Sequence, residues 1–492
     1  MNDLKRKVIH GGLAKGVSQV ALMVLRMGYL MAMARMLGPR EFGLVGMVAA
    51  FTGVLNLFRD FGLSAATVQR QEVSDEQIST LFWINVFVGL ALGCLLMALA
   101  PFITVFYHEP RLFWVTIALS TSFMFNGAGV QHTAILERQM RFTALAAIDV
   151  IALLASILLA IGMALTGFGY WALVASTVSI PLVTTLCLWQ TTGWSPGRPR
   201  SGVGLYPLMR FGSAITVISV TMYIAYNLEK VLLGRFWGAT AVGIYGRAYQ
   251  LSSIPTDTLN SSFWGLAFSG LSRVRHDPVL LKTYFLKGYS LLLGLTIPIS
   301  IAAALFAPDI VLVLLGSKWS ESAPILRLLT PTILFFAIIN PLSWLTFALG
   351  MLGRNLKIVL VIAPVVICGY VLGLSYGPRG VAFGYSAAMA LLALPIAAWS
   401  VKDTVVSFRD ILSAIMRPLV SGIAAAAIAL SAQVLLGPYL PAVGRLMMGV
   451  VLLFGAYACM LLFVMGQKRI YLDLIRGLRK SPSVDAGVMA SL

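Results

Sequence analysis

Two arginines lie inside long apolar segments, where a charge is costly. Arg26 falls within the first apolar segment, and Arg247 falls within a later one, next to Tyr245 and Tyr249. A charged side chain at the centre of a bilayer costs roughly 2.5–3.5 kcal/mol, so such residues usually face a cavity. A guanidinium can bind two phosphate oxygens at once. We interpret both arginines as ligands of an anionic substrate. The alternative is a structural ion pair or a side chain that reaches the membrane interface.

Other polar side chains share helix faces with these arginines or lie next to them. Lys15, Gln19 and Arg26 fall on one face of the first segment. The seventh apolar segment has a polar stripe that consists of Ser213, Thr216, Tyr223, Asn227 and Lys230. A polar stripe on an apolar helix faces water or protein, and the ring of Tyr249 can stack on a ring of a bound ligand. We predict that one binding cavity is lined by Arg26, Arg247, Gln19, Lys15, Tyr223, Asn227 and Tyr249. The alternative is that these groups bond to the backbone or to neighbouring helices, or form an interfacial belt.

Four charged residues are candidates for coupling or gating. Asp149 is the clearest carboxylate within an apolar segment, and burial would suit it to a coupling proton or sodium ion. A permanent ion pair is the alternative. Glu229 and Lys230, near the outer end of the seventh segment, form a candidate gate or, alternatively, a solvated loop pair. Arg59 is followed by Asp60 and is interpreted as an interface pair, with gating as the alternative.

The elements that hold these side chains are predicted from composition. Hydrophobic residues make up 59% of the 492-residue chain and charged residues 11%, and the mean hydropathy is +0.90. Soluble domains contain roughly 25% charged residues, and a helix needs about 20 apolar residues to cross a bilayer. We predict an all-α integral membrane protein with about fourteen transmembrane helices. The predicted spans are 11–37, 41–60, 79–106, 112–131, 143–165, 169–190, 208–227, 239–260, 283–307, 322–346, 356–375, 380–400, 414–437 and 442–466.

An internal repeat divides this series of helices. The segment RMLGPREFG at 35–43 shares the spacing RxxGxxxxG with RFWGATAVG at 235–243, at an offset of 200. The repeat covers six spans, an even number, so both copies enter the membrane from the same side. We predict two six-helix lobes related by a pseudo-two-fold axis along the membrane normal. The predicted domains are the lobes 1–200 and 201–401, two additional helices in 402–466 and a basic cytoplasmic tail in 467–492.

The net charge of +18 comes from basic residues that are spread through short loops between apolar segments. This distribution is typical of topology signals, so we expect no nucleic-acid partner, and it favours cytoplasmic termini. The four cysteines have no spacing typical of a disulfide or zinc site, and GxxxxGK[ST] does not occur. We expect no metal site, no catalytic residues and no cofactor, apart from possible coupling to Na⁺ or H⁺.

Two segments resemble a known family. LGPREFGLVGMVAAFTGVLNLFRDFGLSAATVQR at 37–70 and NLEKVLLGRFWGATAVGIYGRAYQLSSIP at 227–255 resemble the starts of the two lobes of Wzx-type polysaccharide exporters, which belong to the multidrug/oligosaccharidyl-lipid/polysaccharide (MOP) export superfamily. The resemblance covers the whole chain. It implies a flippase that moves oligosaccharides carried on undecaprenyl pyrophosphate to the outer leaflet. The family usually has Asp shortly after the seventh span, where this chain has Glu229. The charge is kept but the side chain is longer, so a role that requires exact placement of the carboxylate does not follow from the resemblance.

Three hypotheses for function follow. The first is a non-enzymatic flippase that lies in a bacterial inner membrane and works by alternating access. Its expected partners are membrane lipids, with a polysaccharide polymerase and export machinery as possible further partners. The second is an ion-coupled exporter of drugs or other small molecules on the same fold. The third is a membrane glycosyltransferase or polymerase, which the short outer loops disfavour. The charge of the cavity distinguishes the first two hypotheses. An anionic lipid requires arginine and lysine in the cavity, whereas cationic drugs require carboxylates.

Overall fold

The computed structural model describes residue 19 and residues 21–59, 75–199 and 206–468, and every element in these ranges is helical. The helices are α1 (21–36), α2 (Pro39–Asn56), α3 (Asp75–Tyr107), α4 (Leu112–Arg138), α5 (Phe142–Leu165), α6 (Tyr170–Thr192), α7 (206–237), α8 (239–273), α9 (Pro278–Leu305), α10 (Ala307–Leu314), α11 (Ser322–Ala348), α12 (Leu352–Gly373), α13 (Gly377–Val401), α14 (Phe408–Leu436) and α15 (Ala442–Cys459).

These helices suit a bilayer because a helix satisfies its backbone hydrogen bonds internally. Nine helical segments of the described chain are long and apolar enough to cross a membrane, one of which, 353–401, contains both α12 and α13. Each of the fourteen predicted spans overlaps a helix. The all-α membrane fold is therefore confirmed, while the count of fourteen spans stays a prediction.

Two helices continue beyond the seventh and eighth predicted spans. The seventh was predicted to end at 227, but α7 continues to 237, and α8 continues to Arg273 through a segment predicted as a loop. A helix does not need to end where the hydrocarbon ends, because its polar side chains can continue into water. Gly238 separates α7 from α8 with a φ of 78°, in the left-handed region that glycine adopts without steric cost.

The chain forms two compact units. Of the described residues, the first unit contains those up to Ala248 together with Leu314–Ile325 and Val359–Tyr385, and the second contains Tyr249–Val313, Leu326–Ile358 and those from Ser386 onward. Each unit is thus assembled from segments that are distant in sequence. The domain limits predicted from the repeat, at 200 and 401, stay a prediction.

Within the first unit, the two copies of the repeat contact each other reciprocally. A Cβ added at Gly43 would lie 1.7 Å from the carbonyl oxygen of Ala239, and one added at Gly243 would lie 1.9 Å from the carbonyl oxygen of Pro39. Residues 39 and 239, like 43 and 243, are 200 positions apart. The starts of α2 and α8 therefore cross at equivalent positions, as expected for a local two-fold relation. We call this contact the glycine crossing.

A second pair of contacts follows the same offset. The indole of Trp319 is buried and donates a hydrogen bond of 2.8 Å to the carbonyl of Ala34. At the equivalent position Gly234, an added Cβ would lie 2.5 Å from the ring of Tyr107. An aromatic side chain thus packs against the end of the first helix of each repeat. The two aromatic residues, Trp319 and Tyr107, differ in type, so the two-fold relation between the copies is approximate.

In the second unit, a buried carboxylate attaches the last two helices. Asp309 on α10 is 2% exposed and accepts hydrogen bonds from Arg445 on α15, with Nε 2.8 Å from Oδ1, and from Gln433 on α14, at 3.2 Å. Gly449 packs against the ring of Phe306, because a Cβ added there would lie 2.5 Å from that ring. The additional helices are therefore packed parts of this unit.

The glycine crossing generates a prediction about stability. We expect Gly243→Ala to lower the melting temperature by several degrees and to reduce the yield of monodisperse protein, because its methyl group meets a backbone carbonyl. Overpacking of this kind costs about 1–3 kcal/mol. Thermal unfolding of the purified full chain in detergent measures the effect.

Gly246 is the matched control, since it lies one turn further along α8 and has nothing within 4 Å of an added Cβ. Gly246→Ala is expected to be neutral or slightly stabilising, because alanine has the higher helix propensity. Equal melting temperatures for the two variants would show that the helices do not cross this closely.

Candidate functional site

Arg247 is held in the first unit by an aromatic ring. Its guanidinium carbon lies 4.6 Å from the centroid of the Phe42 ring, and Tyr29 is within electrostatic range. A cation–π contact of this type stabilises a desolvated cation by about 2 kcal/mol. Phe42 belongs to α2 and lies one residue before Gly43 in the glycine crossing. The crossing therefore determines where the charge of Arg247 lies.

A chain of hydroxyl groups extends from the same place. The hydroxyl of Tyr29 donates to Oγ of Ser176 at 2.9 Å, and Oγ of Ser156 lies 2.8 Å from that same atom. These residues join α1, α6 and α5. Hydroxyl groups both donate and accept hydrogen bonds, as sugar hydroxyls require of a binding site. Sequence analysis missed the two serines, although Tyr29 falls on the face of α1 that carries Arg26.

Arg26 and Gln19 have exposed side chains in the structure. Arg26 precedes Tyr29 by three residues, so the two side chains lie one turn apart on the same face of α1. Arg26 is thus one turn from the residue that approaches Arg247. Lys15, the third cation of the predicted cavity, lies outside the described residues.

The polar stripe of the seventh span is a hydrogen-bonded ladder. Lys230 Nζ donates to Asn227 Oδ1 at 2.6 Å, and the Asn227 amide donates to the carbonyl of Tyr223 at 3.0 Å. The hydroxyl of Tyr223 in turn donates to the carbonyl of Ala49 on α2 at 3.2 Å. The predicted neighbours Tyr223, Asn227 and Lys230 are therefore brought together. Ser213 and Thr216, the other two residues of the stripe, have side chains that the structure does not describe.

Glu229 is fully buried beside this ladder. Its exposure is 0%, and neither carboxylate oxygen has a hydrogen-bond partner among the described residues. The alternative of a solvated loop pair is wrong for this residue, because α7 continues beyond it and keeps it among helices. Lys230 is the nearby opposite charge. An ionised carboxylate without hydrogen bonds is costly in such a place, so Glu229 suits a group that takes up a proton or a cation.

A cavity of about 160 Å³ lies in the first unit between α4, α5 and α6. Its lining combines apolar side chains with polar groups, and the polar groups are Gln19, Thr133, Glu137, Asp149 and Thr184. Two residues singled out from the sequence, Gln19 and Asp149, thus share one cavity. The side chain of Asp149 is exposed rather than deeply buried. Glu137 was missed because it comes at the end of α4 and looks like an ordinary interfacial charge.

The remaining predicted residues lie elsewhere. Tyr249 is a partly buried residue of the second unit, and Arg59 follows α2 with a buried Nε that has no hydrogen-bond partner among the described residues. Asp60, its predicted neighbour in an interface pair, lies outside those residues. In the described part of the chain no group of three or more His, Cys, Asp or Glu residues is placed to hold a metal ion.

Cysteine labelling tests the cavity. In a chain whose native cysteines Cys94, Cys187, Cys368 and Cys459 are replaced, we expect Asp149→Cys to react with a charged, membrane-impermeant thiol reagent in inverted vesicles. Ala152→Cys is the matched control, because Ala152 lies one turn further along α5 and is 1% exposed. A rate at least about tenfold slower is expected there. Similar rates at both positions would contradict a water-filled cavity at Asp149.

The fold resembles two groups of solved structures. "Lipid II flippase MurJ, inward closed conformation" matches with a TM-score of 0.75 and 15% identity, over 95% of this chain and all of that one. An inward-facing multidrug resistance MATE family transporter of the MOP superfamily matches with a TM-score of 0.63 and 16% identity, over 80% of this chain and 95% of that one.

Curated relatives match over most of their length. Lipopolysaccharide biosynthesis protein WzxC of Escherichia coli (strain K12) is 24% identical over 78% of each chain. Teichuronic acid biosynthesis protein TuaB of Bacillus subtilis (strain 168) is 24% identical over 71% of this chain and 73% of its own. A family model described as "Polysaccharide biosynthesis protein" matches residues 32–324, more than half of the sequence, and the chain belongs to this family.

Proposed function

We propose that this protein is a flippase for oligosaccharides linked to undecaprenyl pyrophosphate. The observation that carries the proposal is the guanidinium of Arg247, which is held on the Phe42 ring among membrane-spanning helices. A membrane protein keeps such a charge mainly where it serves a substrate or ion pathway. The family, and relatives named for lipopolysaccharide and teichuronic acid biosynthesis, support a substrate of this kind.

The chemistry of the neighbouring side chains suits the two polar parts of such a substrate. Pyrophosphate requires cations and hydrogen-bond donors in place of water, which Arg247 and Arg26 supply. The sugars require hydroxyl and amide partners, which Tyr29, Ser176 and Gln19 supply. The prenyl chain requires only hydrocarbon and stays in the bilayer. Transport then proceeds by alternating access, with the polar part crossing roughly 30 Å of hydrocarbon.

We propose a bacterial inner membrane as the location, with both termini cytoplasmic, because basic residues are concentrated in the loops assigned to that side. A polysaccharide polymerase is the proposed partner that receives the translocated unit. An ion-coupled small-molecule exporter is the second candidate function. Glu229 and Asp149 favour it, since carboxylates suit cationic cargo, whereas Arg26 and Arg247 favour the anionic lipid.

The first test is Arg247→Ala in cells that lack the native gene. We expect surface polysaccharide to fall at least about tenfold and complete lipid-linked units to accumulate inside, because a hydrogen bond to a charged group contributes roughly 1.5–3 kcal/mol. Immunoblotting of membranes checks that the variant is inserted.

Arg111→Ala is the matched control, since the side chain of Arg111 is 50% exposed and lies 3.8 Å from Glu109. It is expected to support normal export. Normal surface polysaccharide with Arg247→Ala would refute the role of this cation. Normal polysaccharide in cells without the gene, together with raised drug sensitivity, would favour the exporter.

We further propose that Glu229 couples transport to a proton or sodium gradient, because its carboxylate is fully buried. In proteoliposomes, an imposed gradient is expected to accelerate flipping by the unaltered protein. Glu229→Gln, which keeps the shape and removes the charge, should abolish the acceleration and leave slow basal flipping. Glu109→Gln is the control, because Glu109 is an interfacial residue with a salt bridge of 3.0 Å to Arg40. A full gradient response in Glu229→Gln would exclude this residue as the coupling group.

A further inference from the structure

A short segment between α10 and α11 belongs to the first unit. Residues Leu314–Ile325 are part of that unit, whereas the chain immediately before and after them is part of the second. Within this segment Ser317–Trp319 forms a single 3₁₀ turn, and the indole of Trp319 is fully buried. The topology proposed above places the turn on the outer side of the membrane. We therefore call residues 315–322 the outer strap.

The outer strap caps the end of α1. The last carbonyl groups of a helix have no hydrogen-bond donor within that helix. Trp319 Nε1 donates to the carbonyl of Ala34 at 2.8 Å. Lys318 Nζ donates to the carbonyls of Arg35 and Met36, at 3.3 and 3.4 Å, and its charge complements the negative end of the helix dipole. Residues distant in sequence therefore complete the end of α1.

The same strap contacts both helices of the glycine crossing. The indole of Trp319 packs edge-on against the Phe42 ring of α2, with 5.2 Å between the ring centroids. Ser322 Oγ donates to the carbonyl of Ile244 on α8 at 3.0 Å, and Ser322 is fully buried. The strap therefore joins the end of α1 to the first turns of α2 and α8.

The Phe42 ring connects the strap to the proposed substrate cation. The ring that receives the indole also holds the Arg247 guanidinium, whose carbon lies 4.6 Å from the ring centroid. Ile244, which accepts the hydrogen bond from the strap, precedes Arg247 by three residues, about one turn of α8. The position of the strap and the position of this cation are therefore linked by two separate contacts.

The side chains of the strap suit a segment that moves into water. Its first turn begins at Gly316, which has a φ of 95°, a left-handed conformation that glycine adopts without steric cost. Trp319 is its buried aromatic anchor. Four polar residues are exposed on the strap, and these are Ser317, Lys318, Ser320 and Glu321. Displacement of the strap would thus exchange hydrogen bonds to carbonyls for hydrogen bonds to water, while only a small apolar surface is uncovered.

We propose that the outer strap is the outer gate of the substrate site and that it leaves α1 when the glycan is released. This proposal rests on the flippase function proposed above. A phosphate that binds the Arg247 guanidinium through two oxygens competes with the Phe42 ring for that cation. A bound substrate therefore loosens the ring against which Trp319 packs. Movement of the indole then opens the hydrogen bonds of the strap to water.

A reversible crosslink between the strap and α1 tests the gate. In the chain without native cysteines, Arg35→Cys and Lys318→Cys are joined in the purified protein with a short, cleavable bis-methanethiosulfonate, and mass spectrometry verifies the link. Proteoliposomes then receive undecaprenyl pyrophosphate that carries a fluorescent oligosaccharide. We expect the linked protein to flip this lipid at least about tenfold more slowly than the unlinked variant, because a lid that cannot open prevents turnover. Reduction, which cleaves the link, should restore the rate.

Two controls separate the link from the substitutions. Methyl methanethiosulfonate modifies the same two cysteines without joining them and should leave flipping at the rate of the unmodified variant. Arg40→Cys/Glu109→Cys is the matched pair, because the ion pair of these residues, at 3.0 Å, joins α2 to the turn that follows α3. A link at this pair should not slow flipping.

An unchanged rate in the linked protein would overturn the gate while leaving the flippase function intact. Failure of the two cysteines to become linked would also overturn it, because the strap would then not lie against α1. Absence of flipping by the unaltered protein would instead refute the proposed function, and the gate with it. If the first double variant does not fold, Met36→Cys/Lys318→Cys provides a second pair with the same expected results, since Lys318 also bonds to the carbonyl of Met36.

Discussion

The close contact of two helix backbones at the glycine crossing is the constraint on which the first unit depends. Helices in a bilayer gain little hydrophobic free energy from association, so close packing and weak Cα–H···O contacts become important. Gly43 and Gly243 allow each helix to reach a carbonyl oxygen of the other. A larger side chain at either position would separate α2 from α8. The separation would also change the positions of every side chain that bridges them.

The bridging side chains explain how this unit tolerates charge. Phe42 lies next to Gly43 and provides the ring for Arg247, while Tyr223 on α7 donates to a carbonyl of α2. Arg247 and Tyr223 are therefore each positioned by α2, a helix from the other copy of the repeat. Stability and the proposed substrate binding consequently depend on the same contacts. Glu229 differs, since its carboxylate is buried without a hydrogen-bond partner in the described chain.

Sequence reasoning succeeded where a local pattern determines structure. Hydropathy located the helices, and the spacing of glycines in the repeat pointed to the residues of the crossing. The polar stripe of the seventh span was predicted because Tyr223, Asn227 and Lys230 follow helical periodicity. Partners that meet only in the folded chain were missed, such as the ring beneath Arg247 and the attachment of Arg445 to Asp309. The continuation of α7 and α8 beyond the predicted spans was also missed, because hydropathy reports the apolar part of a helix and not its ends.

The pairing of Asp309 with Arg445 has a consequence for biogenesis. The two residues are 136 positions apart, and ribosomes add roughly 5–20 residues each second. The carboxylate of Asp309 therefore reaches the translocon about 7–27 seconds before its guanidinium partner has been synthesised. During that interval α10 carries a carboxylate without its arginine partner. Synthesis of α15 then supplies the guanidinium, so a helix made late in the chain completes the hydrogen bonding of one made much earlier.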